Sequence, residues 1–472
     1  MATNDMIVAI ELGSSKISGA VGRKCGDGSL QVLAYANEPV SGAVRRGVVY
    51  NIDQTAQCLS NLINRLEPEL GNLTIEQVYV GVGGYTLHSE HNTIMRAFEE
   101  ACVVDAALID EMEEANAGKQ YPGYGMLMMV SQEYKIGNNL LNDPVGVNCT
   151  QIEGNYLNIL TRASLMQNMA KSFEVAKVNI ADTTISPIST ANVLLTESER
   201  RQGCALVDFG AETTTVSVFK GGCLRFLSVI PIGIQSITND LCSLHLDEDE
   251  AEHLKCEYGL EFSASNDDYV VLDDSRSIEL RKVYEVIEAR FEEIALNVCH
   301  QIEASGYEEK QLLAGLVCCG GGINMKGFAA AVTKKVQFSK VRLANNTVTK
   351  VEWCTVDRPQ DGTQGVLVGL LMDGTENCCQ GSMQMEIKPE DEKRVVTGKL
   401  FTDDGESAQA QRDEELRLQR QQKIKEAEER KLAMQAEKQK SNNGNWFLKK
   451  IRLVSDNVEK LANDFLKDDD KE

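Results

Sequence analysis

Two stretches in different halves of the chain follow one rule. Residues 7–22 read IVAIELGSSKISGAVG and residues 204–222 read CALVDFGAETTTVSVFKGG. Each is an apolar run, a carboxylate (Glu11, Asp208), a glycine shortly after it (Gly13, Gly210), a cluster of hydroxyls, and a second apolar run. The clusters are Ser14 and Ser15 in the first stretch and Thr213, Thr214 and Thr215 in the second. Apolar runs on either side of a glycine turn predict an antiparallel hairpin. The tip of such a hairpin presents backbone N–H groups and hydroxyls, joined in the first by the Lys16 ammonium. Those groups hold phosphate. A single tip is an ordinary turn. Two of them, each with an acid at the end of the incoming strand, can close on one phosphate tail from opposite sides while the acids orient metal-bound water.

A third stretch, LAGLVCCGGGINMKGF (residues 313–328), carries a buried strand into Gly320, Gly321 and Gly322 ahead of a helix. Glycines at that junction let a flat ligand approach the backbone. Between the second and third loops lies DEDEAEHLKCEYG (residues 247–259), with Glu252 and Lys255 one helical turn apart. Alone, that spacing is a surface ion pair; its place between the two loops gives it weight.

With 472 residues the chain has room for two or three domains. A net charge of −23 opposes general nucleic-acid binding, because phosphate contacts need clustered Lys and Arg. No apolar run is long enough to span a bilayer and the start is unlike a secretion signal, so the sequence predicts neither a spanning nor a secreted protein. Fourteen cysteines without a C-x-x-C predict reduced, buried thiols in a cytosolic setting. Strand-like runs (78–82, 127–130, 157–161, 205–208, 316–319) alternate with helical ones (53–66, 105–117, 164–175, 282–304), a mixed α/β pattern. Residues 386–445 are a charged linker that cannot build a core. The segment 446–467 is apolar again. Phe447, Ile451, Val454, Val458, Leu461 and Phe465 form one stripe at helical spacing, with Trp446 at its boundary and Lys449 and Lys450 near its start. Such a helix lies on an anionic membrane or docks on protein.

The three loops, in this order, resemble the actin/Hsp70/sugar-kinase superfamily. GVV (47–49), VYVGVGG (78–84), VSQEYKI (130–136), DPVGV (143–147), ADTTISPISTANVLLTESER (181–200) and GGGINMKGF (320–328) narrow the resemblance to the FtsA family of bacterial division proteins. The resemblance implies an actin-like fold of two ribonuclease-H-like lobes. Subdomain 1A would hold residues 1–85 and 346–385, an inserted SHS2-like 1C would hold 86–165, 2A would hold 166–235 and 284–345, and 2B would hold 236–283. It implies ATP and Mg2+ as ligands. Glu11 and Asp208 would meet the metal through water and carry any catalysis. Gly13, Ser14, Ser15, Lys16, Gly210, Thr213 and Thr214 would hold the phosphates, and Glu252, Lys255, Gly320, Gly321 and Gly322 the adenosine. Glu212, where the family commonly has glycine, would repel a triphosphate, so the expectation is ATP binding with weak or no hydrolysis. Further implications are self-association into filaments, with 86–165 as a deletable unit that contacts the next subunit, and capture of the C-terminal peptide of FtsZ by 2B. The tail would lie on inner-membrane lipids at the division septum, where later division proteins are recruited. The alternatives are a small-molecule kinase of the superfamily and a related pilus-assembly ATPase. An Hsp70-type chaperone would need a β-sandwich that residues 386–472 cannot supply.

Overall fold

The computed structural model describes residues 5–40, 42–261, 268–272, 276–336, 338–354 and 362–381. The linker 386–445 and the tail positions from Trp446 to Phe465 lie outside the described residues.

Two sheets share one plan. In the first, the antiparallel meander Ile7–Leu12, Lys16–Lys24, Leu30–Pro39 is continued beside its first strand by the parallel strands Gln77–Val82 and Asn179–Ile185. In the second, Cys204–Phe209, Thr214–Lys220 and Cys223–Ile230 form the meander, and Gly315–Cys319 and Val341–Leu343 the parallel pair. Strands covered on both faces read as unbroken apolar runs. Accordingly Val8, Ala9, Ile10, Ala205 and Val207 have no exposed surface. The helix Ile52–Leu66 lies over the first meander. Its start is fixed by the Asn51 side chain, which accepts the Gln54 N–H at 3.1 Å, and it buries Leu59, Leu62 and Leu66. Gly365–Asp373 packs on the same sheet and against Ser186–Leu194. The long helix Leu280–Ala304 packs on the second sheet, flanked by Gln235–Leu241 and Phe328–Val336. This is the two-lobed actin-like arrangement that the sequence implied.

Two expectations change. Residues 166–235 were assigned to the second lobe, but Asn179–Ile185 pairs with Gln77–Val82 in the first sheet. Ala163–Ala176 packs on Ile52–Leu66, and Ser186–Leu194 packs on Gly365–Asp373. The meander of the second sheet therefore begins only at Cys204–Phe209, after Ser186–Leu194.

The insertion 86–165 is also less separable than a deletable unit. Its strands His88–Val103, Tyr124–Ile136 and Asn148–Arg162 form a sheet that joins the outer strand of the second meander through a His88–Ser228 bridge. The Ser89 hydroxyl accepts the Leu227 N–H at 2.8 Å and donates to the Leu227 carbonyl at 3.2 Å. Arg225 pairs with Glu133 and donates to Gln132 at 2.8 Å. Leu157 and Ile159, on the returning strand, are fully buried in the main core. Deleting 86–165 would uncover a sheet edge and open that core.

Candidate functional site

The two hairpin tips are built alike. The Gly13 N–H donates to the Lys16 carbonyl at 3.1 Å, and the Gly210 N–H donates to the Thr213 carbonyl at 2.9 Å. A methyl on Gly13 or Gly210 would lie 2.6 or 2.9 Å from that same oxygen, so both turns exclude a side chain. Strand register sets Glu11 opposite Ser18 and Asp208 opposite Thr215, which places each acid identically with respect to its tip. The third loop closes against the second tip. Gly320 has φ +86°, and a Cβ there would lie 2.1 Å from the Asp208 Oδ1. A Cβ on Gly322 would lie 2.5 Å from Ile234 and 2.8 Å from the Phe209 Cβ.

All three loops border one cleft of about 460 Å3. Of the residues the sequence singled out within the described chain, Glu11, Gly13, Ser14, Ser15, Lys16, Asp208, Gly210, Thr213, Glu252, Lys255, Gly320, Gly321 and Gly322 line it. Thr214 does not. It is fully buried, and its hydroxyl donates to the Ile232 carbonyl at 2.9 Å. Side chains alternate along a strand, so Thr213 and Thr215 face the cleft while Thr214 faces the core.

Burial, and then the Asp208 charge, push the Glu11 carboxyl up to about 8, with Lys16 opposing the rise. Burial pushes Asp208 up to about 6. Two carboxyls that resist ionising beside each other form a site short of positive charge. Burial also drives the Cys319 thiol well above its usual range, which makes it a small inert wall. On the far side, Lys255 is buried and donates to Glu252 at 2.6 Å and to the Thr238 hydroxyl at 3.0 Å, while that hydroxyl donates to Glu252 at 2.7 Å. Burial opposes the ionisation of Glu252, but these hydrogen bonds together hold its carboxyl below the usual range. The E-x-x-K spacing is therefore a closed triad at the cleft edge, with only Glu252 half exposed.

The sequence reading missed the remaining wall. Gly81, Gly83, Gly84, Ser186 and Thr190 line it, the last two one turn apart on the helix Ser186–Leu194. The Thr190 hydroxyl is buried without a hydrogen-bond partner. A strand ending in GVGG and a helix opening with SPIST were the available signals; both served only as marks of resemblance. Glu212 is also placed in a way that local sequence did not indicate. Its carboxylate accepts the Arg46 N–H at 2.5 Å.

The profile of a family described as "Cell division protein FtsA" matches residues 205–360. The cell division protein FtsA of Porphyromonas gingivalis is 29% identical over 368 residues, 74% of this chain and 76% of that protein. The FtsA of Pseudomonas aeruginosa is 27% identical over 391 residues, 81% of this chain and 92% of that protein. The chain is similar to FtsA cell division proteins over most of its length. Among solved structures, a PilM–PilN type IV pilus biogenesis complex has a chain with a TM-score of 0.54 and 16% identity, covering 78% of this chain and 98% of that one. At that identity the likeness is one of fold. The FtsA relatives carry the name of cell division proteins, and the second tip, Glu252, Lys255 and the third loop fall within the residues 205–360 that the profile matches.

Proposed function

We propose that the chain is an ATP-binding division protein that self-associates on the cytoplasmic face of the inner membrane, links FtsZ to that membrane at the septum, and recruits later division proteins. The observation that carries the nucleotide part is the convergence of two like-built hairpin tips and a glycine loop on one cleft. Its volume lies in the range of small-ligand sites. The carboxyl pair Glu11 and Asp208 lacks positive charge, the tips supply amides and hydroxyls, and Thr190 has an unused hydroxyl, so the donor set suits a magnesium nucleotide. Glu11 and Asp208 hold the metal through water, the tips with Lys16 hold the phosphates, and Gly320–Gly322 with Glu252 and Lys255 face the adenosine. Bound magnesium supplies the charge that lets both carboxyls ionise.

The cleft offers little for hydrolysis. Apart from Glu11 and Asp208, its ionisable lining among the described residues is Lys16, Glu252, Lys255, Cys256 and Cys319. Glu252 is engaged by Lys255 and Thr238. No carboxylate or imidazole among these stands free to activate water, which favours slow or absent turnover and a switch rather than a metabolic enzyme.

The membrane part rests on the stripe Phe447, Ile451, Val454, Val458, Leu461 and Phe465 and the basic residues at its start. One such helix gives reversible attachment, and self-association multiplies many weak anchors. Filament formation and the FtsZ peptide come from the family resemblance. The test is co-pelleting of the full chain and FtsZ with anionic liposomes, with and without ATP. The expected result is ATP-dependent recruitment of FtsZ to lipid by the chain. A chain that stays in the supernatant under both conditions would overturn the tether.

A further inference from the structure

We propose that Glu212 and the Arg46–Gly47 loop form a charge-sensitive clasp over the phosphate end of the cleft, which sets the preference between nucleoside triphosphate and diphosphate. The proposal rests on the nucleotide reading above and deepens it. The loop joins two short strands, Val44–Arg45 and Val48–Val49. Its consecutive amides point at different hairpins. The Gly47 N–H donates to the Ser14 hydroxyl, on the first tip, at 2.8 Å. The Arg46 N–H donates to the Glu212 carboxylate, on the second tip, at 2.5 Å across 166 positions of sequence. One turn of backbone thus ties the tips of both lobes together.

The first lobe holds the loop at two further points. The Arg46 carbonyl accepts the Tyr85 N–H at 3.0 Å, and the Val49 carbonyl accepts from Asn168 at 3.4 Å. From the second lobe, the Glu212 carboxylate is the group that reaches it. Arg46 is held at φ +49°, a left-handed conformation that non-glycine residues seldom adopt. Behind the loop lies a small hollow of about 20 Å3, bordered by Leu12, Val48, Met166 and Met169.

The Ser14, Ser15 and Thr213 hydroxyls and the Lys16 ammonium on the two tips can donate to an anion. Glu212 is an acceptor placed among them, and it closes the mouth by taking an amide that would otherwise face solvent or ligand. A tail with a third phosphate brings further negative charge to that mouth, and like charges there repel. The triphosphate therefore binds at the expense of the Glu212–Arg46 contact, and the diphosphate leaves the contact in place.

Two variants separate charge from acceptor: Glu212→Gln keeps the length and the acceptor, and Glu212→Ala removes both. Hydrogen exchange of the 44–49 backbone in the full chain is measured without nucleotide, with ATP-Mg2+ and with ADP-Mg2+, alongside the affinity for each. Without nucleotide, Glu212→Ala is expected to speed exchange at Arg46 by about tenfold, reflecting the lost hydrogen bond. Both variants are expected to bind ATP-Mg2+ about fivefold tighter and ADP-Mg2+ with under about twofold change. In the wild type, ATP but not ADP is expected to speed exchange at Arg46. Unchanged exchange in Glu212→Ala without nucleotide overturns the clasp. Equal shifts in ATP and ADP affinity, or none, overturn its selectivity. A wild type that binds neither nucleotide overturns the nucleotide reading and this proposal with it, and that failure is recognisable because the exchange effect of Glu212→Ala would persist.

Discussion

Replacing Glu11 by Gln should stabilise the nucleotide-free protein while weakening its hold on magnesium nucleotide. In the folded chain the carboxyl is raised from 4.5 to about 8 by burial and by Asp208. Between those two values the folded state binds more protons than the unfolded one, so stability falls as pH rises through the window. At about 1.4 kcal/mol per unit, the full penalty above both values is about 5 kcal/mol, and at pH 7 it is roughly 3 kcal/mol. Glu11 retains some exposure to the cleft, and water there screens the charge, which brings the expected gain from Glu11→Gln at pH 7 to about 1–3 kcal/mol. Below pH 4 both side chains are neutral in either state and the gain should vanish. Thermal melts in chelator at pH 4 and pH 8, wild type against Glu11→Gln, read this directly. A higher melting temperature for the variant at pH 8, with coincident curves at pH 4, is the expected result. A variant that melts lower than the wild type at pH 8 would refute the reasoning, because Glu11 would then be a stabilising anion rather than a strained one.

Three other outcomes follow. Gly322→Ala sets a methyl 2.5 Å from Ile234 and 2.8 Å from the Phe209 Cβ, and should cost about 1–3 kcal/mol in urea melts while loosening the third loop. Arg225→Ala removes the partner that holds the Glu133 carboxyl below its usual range and should lower stability by about 1–3 kcal/mol; limited proteolysis should then cut first within 86–165. That pair is present above the ordinary carboxylate range and is lost as pH falls through the depressed Glu133 value, so the wild type should lose the same protection in acid. On anionic liposomes, Ile451→Glu should abolish flotation and Asn463→Glu, on the opposite face of the expected tail helix, should leave it unchanged; equal flotation of both would show that the stripe faces protein.

The hairpins were legible because their chemistry is local. An acid, a glycine and hydroxyls within a few residues fix a turn, and the turn fixes what its amides face. The helices Ile52–Leu66 and Leu280–Ala304 were legible for a similar reason, since their apolar spacing announces one buried face. Sheet membership was not. Asn179–Ile185 reads NIADTTI, too polar to mark a parallel strand, and its place in the first sheet depends on Gln77–Val82, far away in the chain. The strand His88–Val103 was missed because its outer face carries His91, Thr93 and Glu99 and its covered face Asn92 and Arg96, which dilute the apolar alternation. Thr214 was misplaced because three adjacent threonines give no clue to which of them the pleat turns inward. The Glu212–Arg46 contact uses a backbone N–H, which no side-chain pattern encodes.

The central claim is that two like-built tips and a glycine loop hold a magnesium nucleotide, and calorimetric titration of ATP-Mg2+ into the full chain tests it most directly. The account predicts saturable binding that depends on magnesium and weakens roughly tenfold or more, a loss of about 1.4 kcal/mol or above, in Lys16→Ala, which removes the cation of the first tip. No heat of binding by the wild type at millimolar nucleotide, in a protein that melts cooperatively, would contradict it.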